Sequence, residues 1–135
     1  MKTSELKIYI ENGGLDASFA SLYGEEKVAV ARDRYTRAAD EFIRRFGDKE
    51  ANFFSVSGRT ELSGNHTDHN FGKVIAASVD LDVIAVASAR EDGIITVKSE
   101  GVGEDTVSLD GYTVPDEALF GTSASIIAGV AAGFL

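Results

Sequence analysis

One run constrains this chain more than any other: Gly58-Arg59-Thr60-Glu61-Leu62-Ser63-Gly64-Asn65-His66-Thr67-Asp68-His69-Asn70-Phe71-Gly72. It holds both histidines of the chain, the carboxylates Glu61 and Asp68, an arginine and three glycines. The apolar residues Phe53, Phe54 and Val56 precede it, and Val74, Ile75 and Val79 follow. A polar loop is therefore expected between two buried segments. Short polar loops on a rigid scaffold are where binding residues concentrate.

The rest of the chain supplies that scaffold. Ser4 to Glu11 reads as a short helix, with Leu6, Tyr9 and Ile10 on one face, ended by Asn12-Gly13-Gly14. Leu15 to Tyr23 reads as a second, closed by Gly24, so residues 1–24 form a pair of short helices. Glu25 to Phe46 is the clearest helix: Val28, Ala31, Tyr35, Ala38, Phe42 and Phe46 step by three and four. Its acids lie near the start and Arg44 and Arg45 near the end, as the helix dipole favours. Asn52 to Ser57 reads as a strand entering the loop, Lys73 to Val79 as short and mixed, and Leu81 to Ala89 as a strand buried on both faces. Asp92-Gly93 predicts a hairpin that returns through Ile94 to Ser99 as its partner. Thr106 to Leu109 is a further short strand, Asp110 to Thr122 is irregular around the single proline, and Thr122 or Ser123 caps a last helix. Helices, then strands, then a helix give an α+β class.

Length and composition narrow the function. At 135 residues one domain is expected. The net charge of -9 argues against nucleic acid as a partner. Lys27, Arg32, Arg34, Arg37, Arg44 and Arg45 do share a segment, but Glu25, Glu26, Asp33, Asp40 and Glu41 are interleaved with them, which reads as a solvated helix face. With no cysteine, disulfide and thiolate chemistry are excluded. No apolar leader follows Met1, and the apolar run from Ile126 to Leu135 is too short to span a bilayer, so no membrane partner and a cytoplasmic location are expected. Ala124, Ile127, Ala128, Ala131 and Leu135 recur at helical spacing up to the last residue, without a polar cap. The chain thus reads as a fragment, and self-association through that bare face is expected.

Within the run, ionised Asp68 can accept a hydrogen bond from a hydroxyl at each oxygen, or can form a turn with its own backbone. Arg59, at the end of a strand, offers a cationic fork to a carboxylate or phosphate, or a surface ion pair. His66 and His69 beside Asp68 lack a further ligand cluster, so a metal site is not expected.

The run resembles the signature of the GHMP sugar kinases, galactokinases in particular, which has the form G-R-V-N-L-I-G-E-H-T-D-Y-N-G-G. Gly58, Arg59, Leu62, Gly64, His66, Thr67, Asp68, Asn70 and Gly72 match it, and a looser similarity continues from Val74 to Gly101. The resemblance implies the sugar-binding, N-terminal part of a longer kinase over residues 1–135, with helices packed on a mixed β-sheet. It implies that ATP phosphorylates galactose at the C1 hydroxyl. Asn65, His66 and Asp68 would position the sugar, and Arg59 would lie beside the reacting hydroxyl and a catalytic aspartate. ATP and Mg2+ are implied as well, with the phosphate loop, metal ligands and catalytic aspartate beyond Leu135. Gly121-Thr122-Ser123-Ala124-Ser125 echoes a phosphate loop, but its spacing is wrong. Asn65 stands where the signature has glutamate, His69 where it has tyrosine, and Glu61 where it has asparagine. The first departure leaves the sugar open: galacturonate or an N-acetylated galactose are alternatives, as is a galactokinase-like sensor without turnover.

Overall fold

The computed structural model describes residues 1–64, 67–110 and 117–134; of Asp68 it describes the backbone. The chain divides into two compact units, Met1–Ala89 and Arg90–Leu135.

The first unit contains α1 (Thr3–Glu11), α2 (Asp16–Tyr23), a 3-10 turn (Glu25–Lys27), α3 (Val28–Phe46) and the strands β1 (Asn52–Ser63) and β2 (Ile75–Ala87). The helices stop where the glycines predict: Gly24 and Gly47 follow α2 and α3 with φ of 90° and 83°. Ile10, Phe19, Ala31 and Tyr35 form the core, and Phe53 and Ile84 of the strands pack against it. The rings of Phe19 and Tyr35 lie 4.7 Å apart, and those of Tyr35 and Phe53 5.2 Å apart. Tilted pairs at such spacing suit the ring quadrupoles. The inward stripe of α3 is Ala31, Tyr35, Ala39 and Phe42; Ala39 takes the buried place expected of Ala38. The chain start is fastened to the link between α3 and β1. Thr3 is buried, and its amide and hydroxyl both donate to the Lys49 carbonyl, at 2.8 and 2.7 Å.

β1 and β2 form one long antiparallel hairpin, with Asn52 opposite Ala87 and Ser63 opposite Ile75. The sequence predicts shorter pieces. Arg59, Thr60 and Glu61 stay in the ladder because each strand satisfies the backbone groups of the other, whatever the side chains do. Only one face of the hairpin meets the helices: Asp82, Ile84 and Val86 are half-buried, while Leu81, Val83 and Ala85 are exposed. The expectation of a strand buried on both faces is therefore corrected. Val56 lies opposite Val83, which puts Phe54, Val56, Leu81 and Val83 on the uncovered face.

The second unit holds β3 (Ile94–Ser99), β4 (Gly103–Ser108), a 3-10 turn (Glu117–Leu119) and α4 (Ser123–Ala132). β3 pairs with β4, not with β2, which corrects the hairpin predicted at Asp92-Gly93. β2 takes β1 along one edge, whereas β3 takes the strand that follows it through a short link, with Ser99 opposite Gly103. The Asp92 carboxylate is taken up locally by Arg90 and by the Ile94 amide, so Asp92-Gly93 shapes the entry to β3 and not a turn between paired strands. Val107 and Ala128 are the buried residues where α4 meets β4. Thr122 caps α4, accepting from the Ser125 amide at 3.3 Å. The stripe expected to be bare, Ala124, Ile127, Ala128 and Ala131, is the side of α4 that is partly or fully buried. Ile126, Val130 and Phe134 are the exposed ones; Leu135 lies outside the described residues. Residues 111–116, with Pro115, also lie outside them.

The α+β class holds, with helices packed on strands. Both ladders among the described residues are antiparallel, joined by short hairpin links; a mixed sheet would add a parallel pairing and its crossover. No helix among the described residues is long and apolar enough to cross a membrane.

Candidate functional site

The run Gly58–Gly72 is half strand and half loop. Its first part lies in β1 and its second forms the tip of the hairpin. The register slips beside Arg59: Ser57 pairs with Asp82, but Arg59 pairs with Ser78. β2 thus carries Val79, Asp80 and Leu81 where β1 carries only Gly58. Such bulges re-aim neighbouring side chains and are frequent next to functional sites. Arg59 emerges here with its side chain 73% exposed and its guanidinium 3.9 Å from the Glu61 carboxylate. At that distance and exposure the pair contributes little to stability, so the fork is available to an anion.

The tip is closed by backbone. Thr67 donates to the Gly64 carbonyl from its amide at 2.9 Å and from its hydroxyl at 2.6 Å. The Thr67 carbonyl then accepts from the Asn70 amide at 3.0 Å and the Gly72 amide at 2.8 Å. Two glycines make this possible. Gly64 has φ of 89°, and a β-carbon there would collide with the backbone of Lys73 and Val74. A β-carbon on Gly72 would collide with Thr67. Both glycines thus serve close backbone approach.

Asp68 begins a 3-10 turn, Asp68–Asn70, on this closed tip. Asn65 and His66 lie outside the described residues. Arg59 and Asp68 are therefore placed on one hairpin, near its tip, and the arrangement of the other two is not part of the description. Asn70 Nδ2 lies 3.2 Å from His69 Nε2. Phe71 follows with φ of 60°, the only non-glycine residue with positive φ among the described residues, and its side chain is 100% exposed. A residue with a β-carbon in that conformation costs about 1–2 kcal/mol.

Behind the hairpin stands a polar cluster that sequence reasoning missed. The Asp82 carboxylate, whose side chain is 6% exposed, receives the hydroxyls of Tyr23 and Ser55, each at 2.6 Å, and the guanidinium of Arg34. Arg34 also donates to the Asp82 carbonyl at 2.9 Å, and the Tyr23 and Tyr35 hydroxyls lie 2.9 Å apart. Burial pushes the Asp82 carboxyl up, but the hydrogen bonds of Ser55, Tyr23 and Arg34 and the arginine charge outweigh it and hold it at about 2. Burial and the bond to Asp82 raise the Tyr23 hydroxyl above its usual range. The signal in the sequence is an aspartate inside the apolar stretch Leu81-Asp82-Val83. This cluster locks α2 and α3 to the hairpin. Nearby, Lys27 donates to Asp80 at 2.5 Å beside the bulge, and that hydrogen bond, with the lysine charge, lowers the Asp80 carboxyl. Arg37 pairs with Asp33 and Arg44 with Glu41 along α3, as expected of a solvated helix face, but Arg32 reaches Asp16 of α2, and Lys27 and Arg34 reach the hairpin, which corrects that expectation for these three.

In the other unit, Gly121–Ser125 forms the entry to α4. Thr122 and Ser125 bond to each other, and Ser123 donates to the Asp105 carboxylate at 2.6 Å. A carboxylate in that place opposes a triphosphate, so these residues do not fit a nucleotide phosphate loop.

Comparison with known proteins bears on the run directly. Residues 40–89 match the family model for the galactokinase galactose-binding signature. Among curated proteins, the chain is 40% identical over 62 residues to the galactokinase of Lactococcus lactis, covering 45% of this chain and 16% of that protein. It is 36% identical over 78 residues to the galactokinase of Enterococcus faecalis, covering 56% and 20%. It is 34% identical over 64 residues to the human galactokinase, covering 47% and 16%. The matched part thus spans about a fifth or less of the length of these relatives. No solved structure matches the chain. The matched residues run from the end of α3 through the hairpin and its closed tip, and over this stretch the chain is similar to galactokinases.

Proposed function

We propose that the protein carrying this chain is a galactokinase that transfers the γ-phosphoryl group of ATP to the C1 hydroxyl of galactose. The observation that carries this reading is the match of residues 40–89 to a galactose-binding signature, with the matched run on a closed hairpin tip. In this reading Asn65, His66 and Asp68 hold sugar hydroxyls. Arg59 stabilises negative charge gathering on the transferred phosphoryl group. Phosphoryl transfer depends mainly on positioning and electrostatics, which suits a site of hydrogen-bonding side chains on a stiff turn. No residue of this chain is assigned to ATP or Mg2+; those sites, and a cytoplasmic location, belong to the proposal for the whole protein.

A second reading changes the sugar. Asn65 is neutral, so it would repel a C6 carboxylate less than a glutamate would. Galacturonate is the alternative this favours, with an N-acetylated galactose as a further choice. A sensor that binds sugar without turnover would give the same binding and no product.

The test is ATP-dependent phosphorylation by the full protein over galactose, galacturonate, N-acetylgalactosamine and glucose. Galactose 1-phosphate is the expected product. Replacing Asp68 by Ala should weaken galactose binding at least tenfold, because each charge-assisted hydroxyl bond contributes about 1.5–3 kcal/mol. Unaltered affinity with a lowered melting temperature would return Asp68 to a turn-forming role.

A further inference from the structure

We infer that Phe71 is a sugar-stacking residue, whose ring supplies the apolar platform for the C–H face of the hexose held by this loop. The inference rests on the proposed function and deepens it.

A pyranose presents two kinds of surface. Its hydroxyls point outward and take hydrogen bonds, while clustered C–H groups leave one face apolar. Arg59, Asn65, His66 and Asp68 can read only the first kind. Small-molecule sites combine a few polar groups with aromatic walls, and an aromatic face is the natural cover for a C–H surface. Phe71 is the aromatic residue of the run. Its ring is fully exposed, between Asn70 and Gly72.

The backbone adds an independent observation. Phe71 is held at φ of 60° by the bonds that the Thr67 carbonyl accepts from Asn70 and Gly72, on either side of it. That conformation is the province of glycine, and glycine is what the signature carries at this place. A glycine would serve the turn at lower cost, so the turn does not explain the phenylalanine. Strained residues persist where they act. The same bonds fix Phe71 to the turn whose backbone begins at Asp68.

The experiment uses the full protein and measures calorimetric binding of the sugar it phosphorylates best, with the melting temperature of each variant. Phe71→Gly should weaken sugar binding roughly three- to tenfold, as expected for loss of an aromatic contact, and should not lower the melting temperature. Phe71→Trp should bind within about twofold of the natural protein, and Phe71→Leu should fall with the glycine variant. KM for ATP should stay unchanged in all three. Unaltered sugar affinity in Phe71→Gly would overturn the inference. So would a leucine variant that binds like the natural protein while the glycine variant melts early, since the ring would then be packing. Asp68→Ala separates the two levels. If it weakens binding while Phe71→Gly does not, only the stacking role falls. If no sugar binds, or Asp68→Ala has no effect, the proposed function fails and the stacking role with it.

Discussion

Asp82 shows how much one residue can decide. It is a carboxylate inside an apolar strand, and it holds Tyr23, Ser55 and Arg34 at the contact between helices and hairpin. Asp82→Ala would strand a half-buried guanidinium and should cost about 3–5 kcal/mol, read as a lower denaturation midpoint. The same residue sets an acid limit. Its carboxyl is lowered from 3.8 to about 2 on folding. The unfolded chain therefore takes up the proton first as pH falls. The contribution, about 2 kcal/mol, is complete above pH ~4 and lost as pH falls towards ~2. Asp82→Asn should flatten stability across that window; an unchanged acid profile would remove Asp82 from this role. On the proposed function, Asn65→Glu should raise kcat/KM for galactose, lower it for galacturonate, and leave the 6-deoxy sugar unmoved. Equal changes for all three would mean that position 65 does not read C6. The signature residues were legible because residue types and spacing survive in sequence. The Asp82 cluster was not, because its partners come from three elements far apart in the chain.

Elements were legible where one signal dominated. The apolar stripe of α3 and the glycines after α2 and α3 mark those helices almost residue by residue. Strands were harder. Arg59, Thr60 and Glu61 read as loop because their side chains are polar, yet the ladder runs through them. Pairing was harder still, since Asp92-Gly93 has the composition of a tight turn but β3 takes β4 as its partner. Turn chemistry is local, whereas pairing depends on the whole length of the two strands that meet. The hairpin tip gives an element-scale prediction. Gly64→Ala meets both a positive φ and the Lys73 backbone. It should weaken sugar binding at least tenfold through the tip, at a cost of about 1–3 kcal/mol, while far-ultraviolet dichroism keeps its helical signal. Retained affinity would show that the tip tolerates another closure.

For the whole molecule, surface left uncovered is informative. Phe54, Val56, Leu81 and Val83 line the outer face of the hairpin, and Ile126, Val130 and Phe134 line α4. Sequence periodicity marked α4 as apolar but assigned the bare side to the stripe that the structure covers. Periodicity shows which residues cluster, not which cluster meets a partner. Concentration-dependent sedimentation of the 135-residue chain is the expected result. Val83→Glu and Ile126→Glu tell the two surfaces apart: the charge that restores a monomer marks the contact, and no association in the unaltered chain would dismiss both.

The long hairpin has a mechanical consequence. The helices grip it near its base, through Phe53, Ile84 and the Asp82 cluster, while Thr60 to Ser63 and Ile75 to Ser78 project beyond that grip with nearly every side chain exposed. The signature run is thus carried on a cantilever, hinged at the bulge beside Gly58. Amides of the clamped end should exchange with solvent only on global unfolding, and those past the bulge through a smaller local opening. On the proposed function, the tip keeps its closed local shape while bound sugar steadies its position, so the outer amides should slow selectively when sugar is added.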